Sequence, residues 1–296
     1  MRWPCISRNR TDRLQVRAAA LLLAPSLTGV AVFYLIPFAE VIRRSFTDAP
    51  GRRFVGLANY QSVLSNSAFR TAAFNTARFL CVCIPALLIL SLGMALLTRA
   101  AGRYGRLYQT SFLLPLAIPV ASIVLLWNVL FSQTGLINAI LQALGAQPVD
   151  FMGTGAAFWV LIATYLWKNS GYDMVLWAAG LDRIPTAQYE AAAVDGANGW
   201  QTFRWITWPG LAPTLGLTAL LSLINSFKVF REAYLVAGQY PHESMYLLQH
   251  LFNNWFLNLE LGRITAAAVL IVGGLLALAG LFMAGKHLFQ RKRKQC

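Results

Sequence analysis

Charge is scarce in this chain, and acid is scarcer. Only 12% of the 296 residues are Asp, Glu, Lys or Arg, and 11 are acidic; an ordinary soluble domain carries roughly 25% charged residues. That excludes a soluble globular protein of this length. The few carboxylates form no chain at membrane depth, which argues against a proton-driven transporter. Histidines number three, and His242, His250 and His287 lack metal-ligand spacing. Of the four cysteines, Cys81 and Cys83 sit inside an apolar run on opposite sides of a helix, while Cys5 and Cys296 lie in the tails. They offer neither a disulfide framework nor a metal site. No Ser/His/Asp or Cys/His set stands in a workable frame. Gly280–Lys286 has most of the spacing of a phosphate-binding loop, but His287 replaces the Ser or Thr that would hold magnesium. No strand precedes it, and its glycines end an apolar helix. The chain is therefore expected to be no enzyme and to bind no cofactor; if ATP drives it, another subunit carries the nucleotide and its magnesium.

What the chain has is apolar length. Hydrophobic residues make up 57%, and the stretches 18–39, 79–98, 107–149, 205–227 and 264–285 hold no charge. A spanning helix needs about 20 such residues, and strict barrel alternation is absent. The expected fold is all-α, a multi-pass membrane protein with six spans near 18–38, 73–97, 110–131, 156–180, 211–236 and 263–285. Pro25 and Pro37 should kink and end the first span, and Pro115 and Pro119 should bend the third. Residues 54–60 read as an amphipathic piece lying against the spans, and 135–145 as an interfacial helix too short to cross.

A net charge of +14 suggests nucleic acid until the charges are placed. Arg2, Arg8, Arg10, Arg13 and Arg17 precede the first span; Lys286, Arg291, Lys292, Arg293 and Lys294 follow the last. Basic flanks of this kind mark cytoplasmic segments of a multi-pass membrane protein and exclude nucleic acid as the partner in favour of membrane lipid. Arg43, Arg44, Arg52, Arg53 and Arg70 offend that rule, but both tails and Arg99, Arg103 and Arg106 outweigh them. The expected layout is a cytoplasmic basic tail over 1–17, a transmembrane domain over 18–285 and a second cytoplasmic tail over 286–296. The first apolar run is too long for a signal peptide and shows no cleavage site, so it reads as an uncleaved span.

Between the fourth and fifth spans, 182–209 is too polar and too broken to cross a membrane. Pro185 suits the first turn of a helix, and Tyr189-Glu190-Ala191-Ala192-Ala193 continues one. Asp195-Gly196-Ala197-Asn198-Gly199 reads as a turn in which Gly196 supplies φ > 0. Residues 200–207 read as a second short helix, stopped before Pro209. A helix–turn–helix elbow of this kind suits docking into another protein.

Glu190-Ala191-Ala192, Asp195-Gly196-Ala197 and then Phe203, Ile206 and Pro209 resemble the cytoplasmic coupling loop of binding-protein-dependent ABC importer permeases. Phe54–Tyr60, Asn75-Thr76, Phe112–Pro115, Trp167-Lys168 with Gly171-Tyr172, and Ala179–Leu181 with Ile184-Pro185 are similar to the carbohydrate branch, which includes maltose- and glycerol-phosphate-type permeases. The resemblance implies a permease of the MetI-like fold in a bacterial cell (inner) membrane, with both termini in the cytoplasm. It implies four partners: a second permease, a dimer of ATPase subunits and an extracytoplasmic substrate-binding protein. Tyr189, Glu190, Ala191, Ala192, Asp195, Gly196 and Ala197 would meet the ATPase, with Glu190 pairing a basic residue there. Ala237–Pro241 departs from the branch's usual Thr-Gly-Gly-Gly-Pro, which leaves the solute open. A permease of the same fold for a non-sugar solute stays open, as does a membrane scaffold or secondary transporter.

The fifth span carries Ser222, Asn225, Lys228 and Glu232 near helical spacing, with Arg231 beside them. They read either as a wall of the substrate passage or as an i,i+4 Lys228–Glu232 pair reaching to the surface. In the fourth span Lys168 and Tyr172 share one face, and Asn169 and Asp173 another; these line a cavity or join helices. Phe227, Phe230 and Tyr234 are either stacking platforms for sugar rings or ordinary packing.

Overall fold

A computed structural model of the chain describes residues 10–48 and 53–293. Expectations for Arg2, Cys5, Arg8, Arg52, Lys294 and Cys296 lie outside the described residues. Among the described residues the fold is all-α, with one isolated bridge between Thr47 and Phe54. Three stretches, Ala18–Ser45, Ser67–Ala100 and Ala212–Ala237, match expected spans in length and hydropathy; a fourth, Val120–Ala143, is offset from the span expected at 110–131 and takes in, after a turn, the short helix expected at 135–145. Leu261–Ala277 is a shorter apolar stretch at the start of the last helix. The fourth span, 27 residues from Ala156 to Asp182, is long enough but is interrupted by Lys168, Asn169 and Asp173. Residues 280–286 lie inside the last helix, Leu261–Arg293, so no phosphate-binding loop exists there.

Pro25, Pro85 and Pro115 lie inside continuous helices, while Pro37, Pro209 and Pro119 differ by the turn before them. α1 (Arg10–Val30) runs through a wide π turn at Ala31–Leu35 into α2 (Ile36–Ser45). Pro37 therefore does not end the first span. Pro209 likewise fails to stop the elbow, because a π turn at Phe203–Thr207 precedes it. A proline inside a helix lacks a donor and collides with the carbonyl four residues back. A π turn immediately before it loosens that register, so the helix passes through. Pro119 has no such turn: Ile118 and Pro119 are extended, with ψ of 126° and 144°, and they break α5 (Gly105–Ala117) from α6 (Val120–Phe131). The third span is thus broken where a bend was expected.

The described chain forms two compact units, 67–254 and the segments flanking it. In the flanking unit, α3 (Ala58–Ser65) is clamped to the end of α2. The Asn59 amide donates to the carbonyls of Ser45 and Thr47 at 3.0 and 2.8 Å, and the Ser45 and Tyr60 hydroxyls meet at 2.6 Å. Arg263, near the start of α15 (Leu261–Arg293), donates to the Ser62 hydroxyl at 2.9 Å. The piece 54–60 is therefore a bridge and a helix start held by hydrogen bonds.

The central unit carries the functional elements. They are α4 (Ser67–Ala100), α5, α6, α7 (Leu136–Ala143), α8 (Ala156–Asp182), the elbow, α12 (Ala212–Ser226), α13 (Phe230–Ala237) and most of α14 (Leu248–Leu257). One core gathers Phe79, Leu87, Ile123, Trp127, Phe158 and Leu161; a second gathers Ala95, Met174, Trp177, Leu181, Ile184 and Leu211. Within lipid, helices associate through close packing at small residues. Gly171 of α8 is such a point: a methyl there would sit 1.9 Å from the Phe112 carbonyl oxygen of α5. The indole of Trp177 donates to the Ser91 hydroxyl at 3.0 Å, joining α8 to α4.

Gly171→Ala is expected to cost about 1–3 kcal/mol or more, because the obstruction is backbone and cannot swing aside. Thermal unfolding in detergent should show a lowered Tm or no folded protein. Gly216→Ala on α12, where an added methyl meets nothing within 4 Å, is the control and should leave Tm the same or slightly higher.

Candidate functional site

The elbow is built from local sequence. α9 (Thr186–Val194) ends as the Ala197 amide donates to the Ala192 carbonyl at 2.9 Å and the Gly196 amide to the Ala193 carbonyl at 3.2 Å. That is a Schellman motif, and Gly196 takes φ of +76° at its required left-handed position. Asn198 then caps α10 (Gly199–Thr202): its side chain accepts from the Gln201 amide at 2.9 Å, while the Gln201 side chain accepts from the Asn198 amide at 2.8 Å. Pro185 occupies the cap position of α9, one residue earlier than the helix proper. α11 (Trp208–Gly210) leads into α12.

The root of the elbow is fastened. The Tyr189 and Thr207 hydroxyls lie 3.2 Å apart, linking its two arms. The Arg99 guanidinium of α4 sits 5.0 Å from the Tyr189 ring centroid and donates to the Leu181 carbonyl at 3.3 Å. The tip is free of such contacts. Glu190, Ala191, Asp195 and Gly196 are exposed, Ala192 and Ala197 half-buried, and Val194 and Trp200 are 88% and 70% exposed. The tip thus presents apolar side chains, Val194 and Trp200, that the described residues leave largely uncovered.

The two long helices that the elbow joins also enclose a polar cleft of about 290 Å³. Tyr165, Lys168, Asn169 and Tyr172 come from one face of α8, at helical spacing. Asn225 comes from α12, Lys228 and Val229 from the 3₁₀ turn after it, Arg231 and Glu232 from α13, and Leu116 from α5. All six residues singled out in the sequence, Lys168, Tyr172, Asn225, Lys228, Arg231 and Glu232, thus line one cleft. Thr164, Tyr165, Val229 and Leu116 were not singled out, since only Tyr165 among them carries a sequence signal, its i,i+3 spacing to Lys168.

The pairing differs from the sequence expectation. Glu232 bonds the Lys168 ammonium at 2.5 Å, across from α13 to α8, with both side chains largely buried. The i,i+4 pair with Lys228 does not form, because the 3₁₀ turn at Phe227–Val229 changes the spacing, and Lys228 instead donates to the Asn225 side-chain oxygen at 2.7 Å. Ser222 faces away from the cleft and donates to the buried Asp173 at 2.5 Å. The Tyr165 hydroxyl donates to the Ser222 carbonyl at 2.8 Å. Asp173 and Ser222 are therefore helix-joining groups. Phe227, Phe230 and Tyr234 do not line the cleft; Phe230 packs on Tyr234 and on the edge of His250, at centroid distances of 5.4 and 4.9 Å.

Breaking one side of a buried ion pair costs about 3–5 kcal/mol, whereas replacing both sides with apolar groups of similar volume is near neutral. Lys168→Met and Glu232→Leu should each lower Tm in detergent. The double variant should recover most of the loss. A double variant no better than the worse single one would show that the two side chains act independently.

Residues 87–294 match the family described as binding-protein-dependent transport system inner membrane component. The trehalose/maltose transport system permease protein MalF of Thermococcus litoralis is 34% identical over 245 residues, covering 80% of this chain and 83% of that protein. The sn-glycerol-3-phosphate transport system permease protein UgpA of Agrobacterium fabrum is 31% identical over 272 residues, covering 87% and 90%. Among solved structures, a bacterial ABC transporter involved in the import of the acidic polysaccharide alginate superposes with a TM-score of 0.77 at 22% identity, covering 96% of this chain and 99% of that one, a likeness of fold. With an exposed elbow joining the two helices of a polar cleft, and with relatives matching along most of its length, this chain belongs to the family of binding-protein-dependent transport system inner membrane components, the permease subunits of ATP-driven importers.

Proposed function

We propose that this permease carries a sugar or sugar-like solute and takes its power stroke through the elbow. The observation that carries the reading is connectivity: the elbow joins α8 to the stretch Ala212–Ala237, and these two supply every lining residue of the cleft but Leu116. A displacement at the tip therefore reaches both walls. The elbow faces the cytoplasm, and six spans put both termini on the same side. Its tip, with Glu190 and the Asp195-Gly196-Ala197 turn, seats in a cleft of an ATPase subunit. ATP and magnesium sit on that ATPase dimer. A second permease completes the passage, and an extracytoplasmic binding protein delivers the solute.

The mechanism follows from rigidity. ATP closes the ATPase dimer and draws the elbow with it. The Schellman turn, the capping box and the Tyr189–Thr207 link keep the elbow from deforming, so the movement passes to the helices. Arg99 takes part of it into α4. The cleft, with its amide, phenol and charged groups, is opened first to one side and then to the other. The names of the relatives favour a carbohydrate, since MalF is a trehalose/maltose permease and UgpA a permease for a phosphorylated polyol. These names cover both neutral and anionic solutes, so family membership leaves the charge of the solute open.

Glu190→Ala tests the stroke. Loss of a charge-assisted contact at an interface costs about 2–5 kcal/mol. The purified complex in liposomes, with its loaded binding protein, should lose transport or shed the ATPase, while Tm of the permease stays unchanged. Normal transport with normal ATPase association would sink the role of Glu190.

A further inference from the structure

We propose that the cleft between α8 and α13 takes an anionic sugar, one bearing a carboxylate, phosphate or sulfonate, held at the rim by Lys228 and Arg231. The inference rests on the reading of this cleft as the solute passage. It begins with a charge count. The cleft is lined by three cations, Lys168, Lys228 and Arg231, and one carboxylate, Glu232. The carboxylate is committed to Lys168 at 2.5 Å. Lys228 donates only to a neutral oxygen, that of Asn225 at 2.7 Å, and Arg231 has no ion pair among the described residues. Two positive charges thus remain without a counter-charge in a stretch, Ala212–Ala237, long and apolar enough to cross a membrane. Charges at such depth are costly and are retained where a partner or cavity uses them.

The other lining groups point to a sugar rather than to a bare ion. A site for neutral sugars uses aromatic faces and free carboxylate or amide oxygens. Here one phenol, Tyr172, is joined by the ring of Tyr165, whose hydroxyl is already spent on Ser222. Phe230 and Tyr234 pack on one another, and Phe227 is exposed and does not line the cleft. Asn169 and Tyr172 supply hydroxyl partners. Glu232 lies 3% exposed beneath the rim, and its second carboxylate oxygen has no hydrogen-bond partner among the described residues. That oxygen asks for a donor, which the hydroxyls of a sugar supply. Lys and Arg side by side suit an oxyanion, the guanidinium gripping two oxygens and the ammonium acting as a point charge.

The test uses the detergent-purified permease–ATPase assembly, free of binding protein, and measures binding by thermal shift and calorimetry. The probes are glucuronate, glucose 6-phosphate, glucose, maltose and inorganic phosphate, with nanodiscs of phosphatidylcholine alone or with phosphatidylglycerol as a lipid arm. The expected result is saturable binding of glucuronate or glucose 6-phosphate, at least about tenfold tighter than glucose or maltose. It should weaken about tenfold in Lys228→Gln and in Arg231→Gln, whose side chains are exposed enough to change without unfolding, and be largely kept in Arg231→Lys. Added salt should weaken it. Neutral sugars bound as tightly as charged ones, and indifferent to both variants, would overturn the inference and leave the sugar passage standing. Phosphate bound as well as the charged sugars would overturn the sugar part. Stabilisation by phosphatidylglycerol with no soluble anion bound would assign the two cations to lipid headgroups. No binding by any probe would remove the cleft as the solute site and this inference with it, leaving the elbow's role untouched.

Discussion

The central unit depends on one ion pair placed where ions do not belong. Lys168 and Glu232 stand on helices 64 positions apart in sequence and meet at 2.5 Å, both side chains largely buried. Neither charge can be left alone at that depth, so α8 and α13 are held to one another by the cost of separation. Once they are joined, the cleft exists: Tyr172 and Asn169 face it because they follow Lys168 along α8, and Asn225, Lys228 and Arg231 face it because they flank Glu232. Asp173 with Ser222 repeats the device one turn further along α8, with no cleft, as a plain fastening.

How much of this the sequence discloses depends on the range of the interaction. The six spans are legible because hydropathy is a local sum. The elbow's turn is legible, since the αL position of Gly196 is fixed by contacts within a few residues; the Asn198–Gln201 capping box and the π turn that carries the helix past Pro209 were not read. The cleft residues are legible as a group, since charge in an apolar helix is conspicuous wherever it falls. Their pairing is not. The i,i+4 spacing of Lys228 and Glu232 offers a local bond, and a short 3₁₀ turn at Phe227–Val229 removes it in favour of a partner from another helix. Phe227, Phe230 and Tyr234 stay open in the sequence for the same reason, since nothing local tells a packing ring from a stacking platform.

Pro37 and Pro209 add a second lesson. Both were read as ends, and both lie inside continuing helices one or two residues past a π turn. The rule that proline stops a helix concerns an i→i−4 ladder, and it lapses where the ladder has already slipped by one residue. Pro119, with an extended residue before it, obeys the rule and separates α5 from α6. Pro25, Pro85 and Pro115 lie inside helices with no π turn before them, so a slipped ladder is one way past a proline and not the only one.

The contact at Gly171 has a mechanical meaning. There α8 rests on the Phe112 carbonyl of α5 with no side chain between them. Two backbones in touch cannot slide along or through one another, yet they can tilt. The point lies one turn from Lys168, close to the cleft and far from the elbow in sequence. Tyr172 of the cleft is its neighbour, and further along α8 the Trp177 indole binds Ser91 of α4. The tilt left open at Gly171 is closed there, so α4, α5 and α8 make one stiff backing for the cleft.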